Sequence, residues 1–563
     1  MGKKALFFLT CFLFLAACGP LWGSPDLTIK IPSPAVVSST ATLIPFQPEG
    51  FIPHPTVTSM PILSEPTQTP IRPYLWISQA VPDNLRKFAK LSGLLLADDS
   101  VSATVRLDVS QVSDSQSATW IYALVAPFPT TTDGVSLADI KNDWVGAATG
   151  PFAGRPLQLD ESTLAAFSAL WGVPAAGSVR LEAADQLVDS AWADRPAWAI
   201  VPFEVLEPRW KVLSVDGQSP VHTDFDVASY PLKISFGLRP AVFPLLPSNR
   251  NPNMLTVLAM TGVTALVRGT ADRMEHYGVL YPGEEIRTVL RAADITHVSN
   301  EISFTADCPT PDPWTESLQF CSDPRYIALL EDIGTDVVEL TGNHLLDYGP
   351  NPFLNTLDMY DQRGWLYFGG GRNLQDSLKP ALVENHGNKL AFIGCNYAGP
   401  PGDWATDVRP GSTPCDFSHL ETEIANLRAE GYLPIMTFQY SEYYQPYPTN
   451  EERNDFLKMA SAGAVIVSGS QAHVPASMEF SGGSFVHYGL GNLFFDQMSH
   501  LMPDGSLIYD TRNVFVDRHV FYDGRYISTE LLTYIIEDYA RPRLMSGPER
   551  KAFLQKIFSA GGW

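Results

Sequence analysis

The chain has 563 residues and carries 61 Asp and Glu against 38 Lys and Arg, so its formal net charge is -23 at pH 7. This surplus argues against nucleic acid or an anionic membrane as a partner of the whole surface, because phosphate groups would be repelled. Hydrophobic residues make up 45% and charged residues 18%, which is an ordinary globular composition, and the length allows more than one domain.

The amino terminus has the features of a bacterial lipoprotein signal. Residues 1–17 contain two lysines and an apolar stretch too short to span a membrane as a mature helix, and they end in the small residues of a lipobox before Cys18. An ordinary signal peptide with an incidental cysteine is the alternative. We expect residues 1–17 to be removed and Cys18 to be lipidated. The protein would then be lipid-anchored at the cell membrane, facing the outside of the cytoplasmic membrane.

Export would place the remaining cysteines in an oxidising compartment, where disulfides persist. These cysteines are Cys308, Cys321, Cys395 and Cys415. We favour disulfides between Cys308 and Cys321 and between Cys395 and Cys415, because each pair brackets a proline-rich loop. The other connectivities stay open, and a zinc site is the weaker alternative because no Cys-x-x-Cys spacing occurs.

Two regions precede the carboxyl-terminal half. Residues 18–73 are rich in Pro, Ser and Thr and carry little charge, which predicts an extended tether. Residues 74–245 are predicted to form a smaller α/β domain, whose pattern resembles a lobe of the phosphate-type periplasmic solute-binding proteins. Because no glycine-rich phosphate loop or Ser/Thr cluster identifies a ligand, a spacer or docking domain is the alternative.

From residue 250 to residue 563, short apolar runs alternate with helical patterns, which predicts an α/β sandwich. A closing strand is predicted over 528–536 and a terminal helix over 548–559. The other predicted strands are 255–260, 296–299, 336–340, 389–394, 434–438, 464–467 and 484–488, and the other predicted helices are 282–293, 325–333, 352–362, 417–430 and 450–462.

Polar side chains follow most of these strands, and strand ends at one edge of a sheet would bring them into one crevice. The polar residues are Asn300 with Glu301, Asn343 and His344 with Asp347, Gln439 with Glu442, Gln471 with His473, and Asn492 with Asp496. Carboxylate, amide and imidazole groups in this combination are typical ligands of a divalent metal. For each residue a structural hydrogen bond is the alternative.

The order and content of these segments resemble the CapA family, proteins of poly-γ-glutamate capsule synthesis whose fold is similar to the calcineurin-like metallophosphatases. The motifs that carry the resemblance are Asn300-Glu301, Asn343-His344 with Asp347 and Gly349, the glycine-rich turn 369–373, and the segment 488–496. The resemblance implies a metallophosphatase-like α/β sandwich. It also implies that Glu301, Asn343 and His473 bind a divalent metal of unknown identity. Catalytic roles would fall to His344, as acid or base, and to Glu442, as a ligand or an orienting partner of a histidine; Asp347, Gln439, Asn492 and Asp496 would complete the crevice.

The chain departs from the family pattern at several expected ligands. Val263 stands where the family has an aspartate, Gln439 begins the segment that corresponds to a histidine motif, and Gln471 replaces another histidine. Valine cannot bind a metal and a glutamine amide binds poorly, so one weak metal site is expected rather than a two-metal centre.

Two functions follow from this pattern. The first is a role in the synthesis or anchoring of poly-γ-glutamate, an anionic polymer, through metal-dependent hydrolysis or transfer, with the polymer or its membrane synthase as partner and no nucleic acid. Such a substrate predicts a basic rim, for which Arg268, Arg273 and Arg372 are the candidates. The second is a catalytically inactive lipoprotein that binds a solute or a partner, which the replaced ligands favour.

Overall fold

A computed structural model of the chain describes residues 73–111, 117–315, 317–497 and 509–563. The predicted signal peptide, Cys18 and the tether up to residue 72 lie outside the described residues. Residues Ile71–Trp563 form one compact unit. In the described part of the chain, no helix is long and apolar enough to cross a membrane.

The amino-terminal part is a mixed sheet with helices packed against it, in agreement with the predicted α/β domain. Its strands run in the order β2-β1-β3-β10-β4-β8-β6-β7, with β9 beside β4 and β5 beside β9. The elements are β1 (Tyr74–Ile77), α1 (Asp83–Lys90), β2 (Leu95–Leu96), β3 (Val105–Val109), β4 (Ser117–Pro127), β5 (Gly134–Val135), α2 (Leu137–Trp144), β6 (Leu157–Leu159), α3 (Glu161–Trp171), β7 (Val179–Leu181), α4 (Leu187–Ala193), β8 (Trp198–Pro202), β9 (Trp210–Val215) and β10 (Lys233–Arg239).

The carboxyl-terminal part contains two larger sheets and the helices that cover them. Its elements are β11 (Leu255–Thr264), α5 (Arg268–Tyr277), α6 (Arg287–Arg291), β12 (Ile295–Asn300), α7 (Ile327–Asp332), β13 (Val337–Glu339), α8 (Pro350–Asp361), β14 (Leu366–Phe368), β15 (Gly370–Gly371), α9 (Leu374–Ser377), β16 (Ala381–Asn385), β17 (Asn388–Asn396), β18 (Gly411–Ser412), α10 (Phe417–Ala429), β19 (Leu433–Gln439), α11 (Asn450–Ala462), β20 (Ile466–Ser468), β21 (Met478–Ser481), β22 (Ser484–His487), β23 (Asn492–Phe494), β24 (Asn513–Tyr522), β25 (Arg525–Glu537), β26 (Arg541–Leu544) and α12 (Gly547–Ala560).

The two larger sheets pack face to face and form the predicted α/β sandwich. One sheet has the order β14-β13-β12-β11-β24-β25-β26 with β23 on β11, and the other has the order β16-β17-β19-β20-β22-β21. Met260 of β11 and Ile435 of β19 belong to the apolar core between the sheets. Helices α5 to α8 pack on the outer face of the first sheet, and α10 and α11 pack on the outer face of the second.

Burial on both faces explains the sequences of the central strands. All residues of β11, β12 and β19 are buried. Parallel strands covered on both sides need near-continuous apolar runs, and neighbours β11 to β14 are parallel, as are β17, β19, β20 and β22. Their carboxyl ends therefore lie at the same side of the sandwich, where the site is built.

The amino-terminal sheet shares its apolar core with the base of the sandwich. Leu255 and Val257 of β11 and Val520 and Tyr522 of β24 belong to the same buried cluster as the amino-terminal strands. Arg550 of α12 also binds Asp133, with 2.7 Å between Nε and Oδ2. The two predicted domains are thus packed together through a common core.

Some predicted elements differ in extent. The helix predicted over 282–293 is helical only at Arg287–Arg291, because Pro282 and Gly283 close a separate 3-10 turn before it. Strand β11 continues beyond residue 260 to Thr264, through a register shift between Met260 and Val263. Gly262 permits this path, since a Cβ there would lie 1.8 Å from the carbonyl oxygen of Gly491.

Candidate functional site

The candidate site is a crevice at the carboxyl ends of the parallel strands. It is a cavity of about 710 Å³, and it adjoins a second cavity of about 600 Å³ that shares Arg268, Thr315 and Phe320 with it. Residues that follow β12, β13, β19 and β20 reach the crevice from both sheets. The predicted site residues that line it are Glu301, Asn343, His344, Glu442, His473 and Asp496.

Glu301 lies at the bottom of the crevice, directly after β12. It is 1% exposed, and a close backbone approach at Gly342 holds it, since a Cβ on Gly342 would lie 2.7 Å from the Cα of Glu301. Burial raises the pKa of the Glu301 carboxyl, although His473 and His344 oppose the shift. Its Oε2 has no hydrogen-bond partner among the described residues.

His473 is held between an amide and two carboxylates. Its Nδ1 lies 2.9 Å from Oδ1 of Asn492, and its Nε2 lies 3.4 Å from Oε1 of Glu442 and 4.0 Å from Oε1 of Glu301. Burial disfavours the charged imidazolium, but the two carboxylates outweigh it and raise the pKa of His473 to about 9. His473 is therefore a cation at neutral pH.

The pKa of the Glu442 carboxyl is shifted in the opposite direction. Burial alone would raise the pKa of its carboxyl, but the charge of His473 outweighs burial and lowers this pKa to about 2. The hydroxyl of Tyr444 also donates to Oε2 of Glu442, at 3.1 Å. The pair is an ion pair at neutral pH, with the carboxylate oriented by two neighbours.

His344 and Asp347 form a hydrogen-bonded dyad at the crevice. Nδ1 of His344 lies 2.8 Å from Oδ2 of Asp347, which also accepts a hydrogen bond from the backbone N–H of Phe320 at 2.7 Å. Burial opposes protonation of His344, but Asp347 and Glu301 raise its pKa. A carboxylate that binds Nδ1 fixes the orientation of an imidazole, which is the arrangement of many general acids and bases. Asp347 itself stands behind His344 and does not line the cavity.

Arg268 lies on the crevice, but a carboxylate already neutralises it. Its Nη2 lies 2.8 Å from Oδ1 of Asp496, and its guanidinium lies about 5 Å from the rings of Phe320 and Phe495. Arg268 has a φ of 43°, in the left-handed region. Among the described residues that line the crevice, Arg268 is the one Lys or Arg.

The prediction that Arg273 and Arg372 contribute to a basic rim around the crevice is wrong. Arg273 pairs with Asp538 at 2.7 Å and with Asp272 at 2.7 Å. Arg372 binds Asp358 and Asp361, at 2.7 and 2.6 Å. Neither arginine lines the crevice. Each guanidinium group is therefore paired with two carboxylates outside the crevice.

Two further predicted residues support the site from behind. Asn492, at the start of β23, holds His473 and donates to the carbonyl of Thr511 at 3.2 Å. Gln439 ends β19, is fully buried and does not line the crevice. Neither amide atom of Gln439 or of Gln471 has a partner within the described residues.

The disulfide loop from Cys308 to Cys321 lies at the site, which its sequence did not indicate. Cys308 is joined to Cys321, and Cys395 to Cys415, which is the favoured pairing. The loop from Cys308 to Cys321 contributes residues to both cavities. Trp314 of this loop lines the crevice although it is 77% exposed. Its signal in the sequence was a tryptophan directly after a proline-rich run inside a disulfide loop.

The donor set does not fit a two-metal centre. Val263 is buried in an apolar cluster with Ile302, Phe320 and Phe495. In the described part of the chain, no group of three or more His, Cys, Asp or Glu side chains is arranged to hold a metal. His473 directs Nε2 at carboxylates in an ion pair, which requires a proton on that nitrogen. Glu301 Oε2 and Asn343 Oδ1 are the acceptors left to hold one cation.

Comparison with protein families identifies the sandwich. Residues 257–497 match the family described as bacterial capsule synthesis protein PGA_cap. This segment belongs to the PGA_cap family. The match covers the strands that carry Glu301, Asn343, His344, Glu442 and His473, so the crevice is built from residues of the family segment.

The curated relatives that the chain matches are distant. The capsule biosynthesis protein CapA of Bacillus anthracis is 23% identical over 270 residues, which are 46% of this chain and 65% of that protein. The PGA biosynthesis protein CapA of Bacillus subtilis (strain 168) is 23% identical over 226 residues, 40% of this chain and 59% of that protein. The chain therefore spans less than two thirds of the length of these relatives.

Solved structures show only a low similarity. A hypothetical protein from Thermus thermophilus has a TM-score of 0.31 and 14% identity, and the alignment covers 50% of this chain and 100% of that chain. A 5'-nucleotidase precursor from the same organism has a TM-score of 0.30 and 16% identity over 54% and 58% of the two chains. An ABC-type phosphate transport receptor from Vibrio cholerae has a TM-score of 0.24 and 13% identity over 29% and 84%.

Proposed function

We propose that this chain takes part in the synthesis or surface attachment of poly-γ-glutamate or a closely related anionic polymer. The observation that supports the proposal is the PGA_cap match over residues 257–497, together with the meeting of Glu301, Asn343, His344, Glu442 and His473 in one crevice of that segment. Relatives named as capsule biosynthesis and PGA biosynthesis proteins point to the same polymer. The crevice is the working site in this proposal.

The chemistry that the crevice supports is proton transfer next to a fixed charge. His344, oriented by Asp347, would donate a proton to or take one from a group bound in the crevice. The His473 imidazolium, bound to Asn492 and Glu442, would keep the Glu442 carboxylate ionised and fixed in the crevice. These roles suit hydrolysis or transfer at a γ-glutamyl amide bond, in which the leaving amine must gain a proton.

A metal-dependent version of the same reaction needs a cation at Glu301 and Asn343. One weakly held divalent ion would polarise an acyl oxygen there. Elemental analysis of the purified chain after dialysis against divalent ions tests this version. A bound metal that disappears in Asn343→Ala would support it, whereas a metal-free chain with full activity would refute it.

A binding protein without catalytic activity is the second candidate. The observation that favours it is the replacement of family ligands by Val263, Gln439 and Gln471, all of them buried. A binding protein would tolerate His344→Ala with little loss of function, since the residue would have no proton to move. An enzyme would lose most of its activity.

We also propose that the chain lies at the cell envelope. We propose that Cys18 carries a lipid, that residues 18–73 act as a tether, and that the body faces the outside of the cytoplasmic membrane. The sequence of residues 1–18 supports this location. A partner at that surface would be the polymer or the membrane synthase that extrudes it.

The test uses the organism that encodes the chain. The gene is deleted and then restored as wild type, His344→Ala or Arg273→Ala, and cell-surface γ-glutamyl polymer is measured with its chain length. We expect deletion and His344→Ala to lower the amount of polymer or change its length. Arg273→Ala, which removes an arginine outside the crevice, is the matched control and should behave as wild type. Unchanged polymer in the deletion strain would refute the proposal.

A further inference from the structure

The charges that line the crevice conflict with a polyanion lying across it. Glu301, Glu442 and Asp496 all line the crevice. Two cations among its described lining residues are already paired, Arg268 with Asp496 and His473 with Glu442. An internal stretch of poly-γ-glutamate would bring a carboxylate with every unit and would be repelled. The crevice therefore suits a different part of such a chain.

Two buried hydrogen-bond acceptors at the crevice have no donor among the described residues. Glu301 is 1% exposed, and its Oε2 has no partner among the described residues. Oδ1 of Asn343 is also buried and without a partner in that part of the chain. Both side chains line the crevice. A buried acceptor without a donor is unfavourable, so a ligand that brings N–H donors would stabilise the site.

We propose that the crevice binds the amino-terminal end of a γ-glutamyl chain, whose ammonium group donates to Glu301 Oε2 and Asn343 Oδ1. The inference rests on the proposed function and names the part of the polymer that the site takes. A γ-linked chain has a carboxylate on every unit but a single ammonium, at its amino terminus. An ammonium has three donors and a compact charge. It can donate to both acceptors, and the amino-terminal unit, whose ammonium balances its own carboxylate, lacks the net negative charge by which an interior unit is repelled.

Calorimetry on the full chain, in a buffer that contains EDTA, tests the inference with two probes. One is γ-linked triglutamate with a free amino terminus, and the other is the same peptide N-acetylated. The free-amine peptide should bind at least about tenfold more tightly, since acetylation removes the charge and two donors. Glu301→Gln should reduce this preference to less than about twofold by weakening the free-amine peptide alone. Asn343→Ala provides a second variant should Glu301→Gln fail to fold.

The matched control is Glu275→Gln in the adjoining cavity. Glu275 pairs with Arg325 at 2.8 Å and does not line the crevice, so its loss should leave the preference unchanged. Equal affinity for the two peptides would overturn the inference, as would a lack of binding by both. The deletion strain tests the proposed function separately, because a chain that restores polymer but does not distinguish the peptides refutes only the recognition of the amino terminus.

Discussion

Replacing Glu442 by Gln should lower the pKa of His473 and change how stability depends on pH. Oε1 of Glu442 lies 3.4 Å from Nε2 of His473, closer than the 4.0 Å to Glu301. Glu442 is also the strongest of the influences that raise the pKa of His473 to about 9. Glutamine keeps the shape of the side chain but removes the charge. We expect the pKa of His473 to fall by more than about one unit.

The same substitution should also change how the free energy of unfolding depends on pH. A histidine whose pKa is higher in the folded state stabilises that state below its unfolded pKa, here the ordinary value of 6.5, and this stabilisation is lost as the pH rises through about 9. The shift corresponds to an upper bound of roughly 3 kcal/mol in the free energy of unfolding. The wild-type chain should therefore lose stability between pH 6.5 and about 9. Glu442→Gln should lose much less over the same range.

Two measurements check this prediction in the presence of EDTA. The imidazole of His473 is titrated by NMR, with His473→Gln to assign its signal, and urea unfolding is followed on both sides of the predicted transition. Tyr444→Phe is the matched control, because it removes the hydroxyl that binds Glu442 but keeps the carboxylate. The reasoning fails if His473 titrates near its ordinary pKa in the wild type. It also fails if Glu442→Gln leaves that pKa in place.

Three further predictions follow from the dyad, the disulfide loop and the anchor. Asp347→Asn should lower the raised pKa of His344 in an NMR titration, and it should reduce surface polymer by at least about tenfold if His344 is the acid or base. Replacing Cys308 and Cys321 by Ser should lower the free energy of unfolding by about 3 kcal/mol in urea denaturation, since the bond closes a loop with a sequence separation of 13; an unchanged value would contradict this. Cys18→Ala should abolish palmitate labelling and release the chain from the membrane fraction, whereas a chain that stays lipidated would refute the anchor.

The sandwich could be predicted because most of its parallel strands contain short, near-continuous apolar runs. Strands β12, β13, β17, β19 and β20 lie close to the predicted ranges, and α11 begins and ends at the predicted residues. Burial on both faces leaves runs that polar loops interrupt, and such runs are visible in a single sequence. Strand β24 was not predicted. Its adjacent charged residues Asp517 and Arg518 lie between two apolar runs, so its pattern is less continuous.

Partners across the crevice could not be predicted, because they depend on side-chain directions rather than on position in the chain. The motifs indicated Glu301, Asn343, His344 and His473 as neighbours, and all four line one cavity. The fate of Arg372 could not be seen, since its carboxylate partners on α8 are neighbours only in the folded chain. The position of Trp314 in the crevice lining could not be predicted either, because it depends on the folded path of the disulfide loop.

The replaced residues and the retained ones together explain the character of the crevice. Val263, Gln439 and Gln471 are uncharged and buried, so the positions that departed from the family pattern no longer supply metal ligands. Glu301 and His473 remain, and without a second set of ligands the carboxylates of the crevice pair with imidazolium instead. Such a site keeps hydrogen-bond acceptors for a cationic group and keeps a histidine for proton transfer. The amino-terminal ammonium would bind these acceptors, while the leaving nitrogen of the first γ-glutamyl amide, one unit further along the chain, would take its proton from His344.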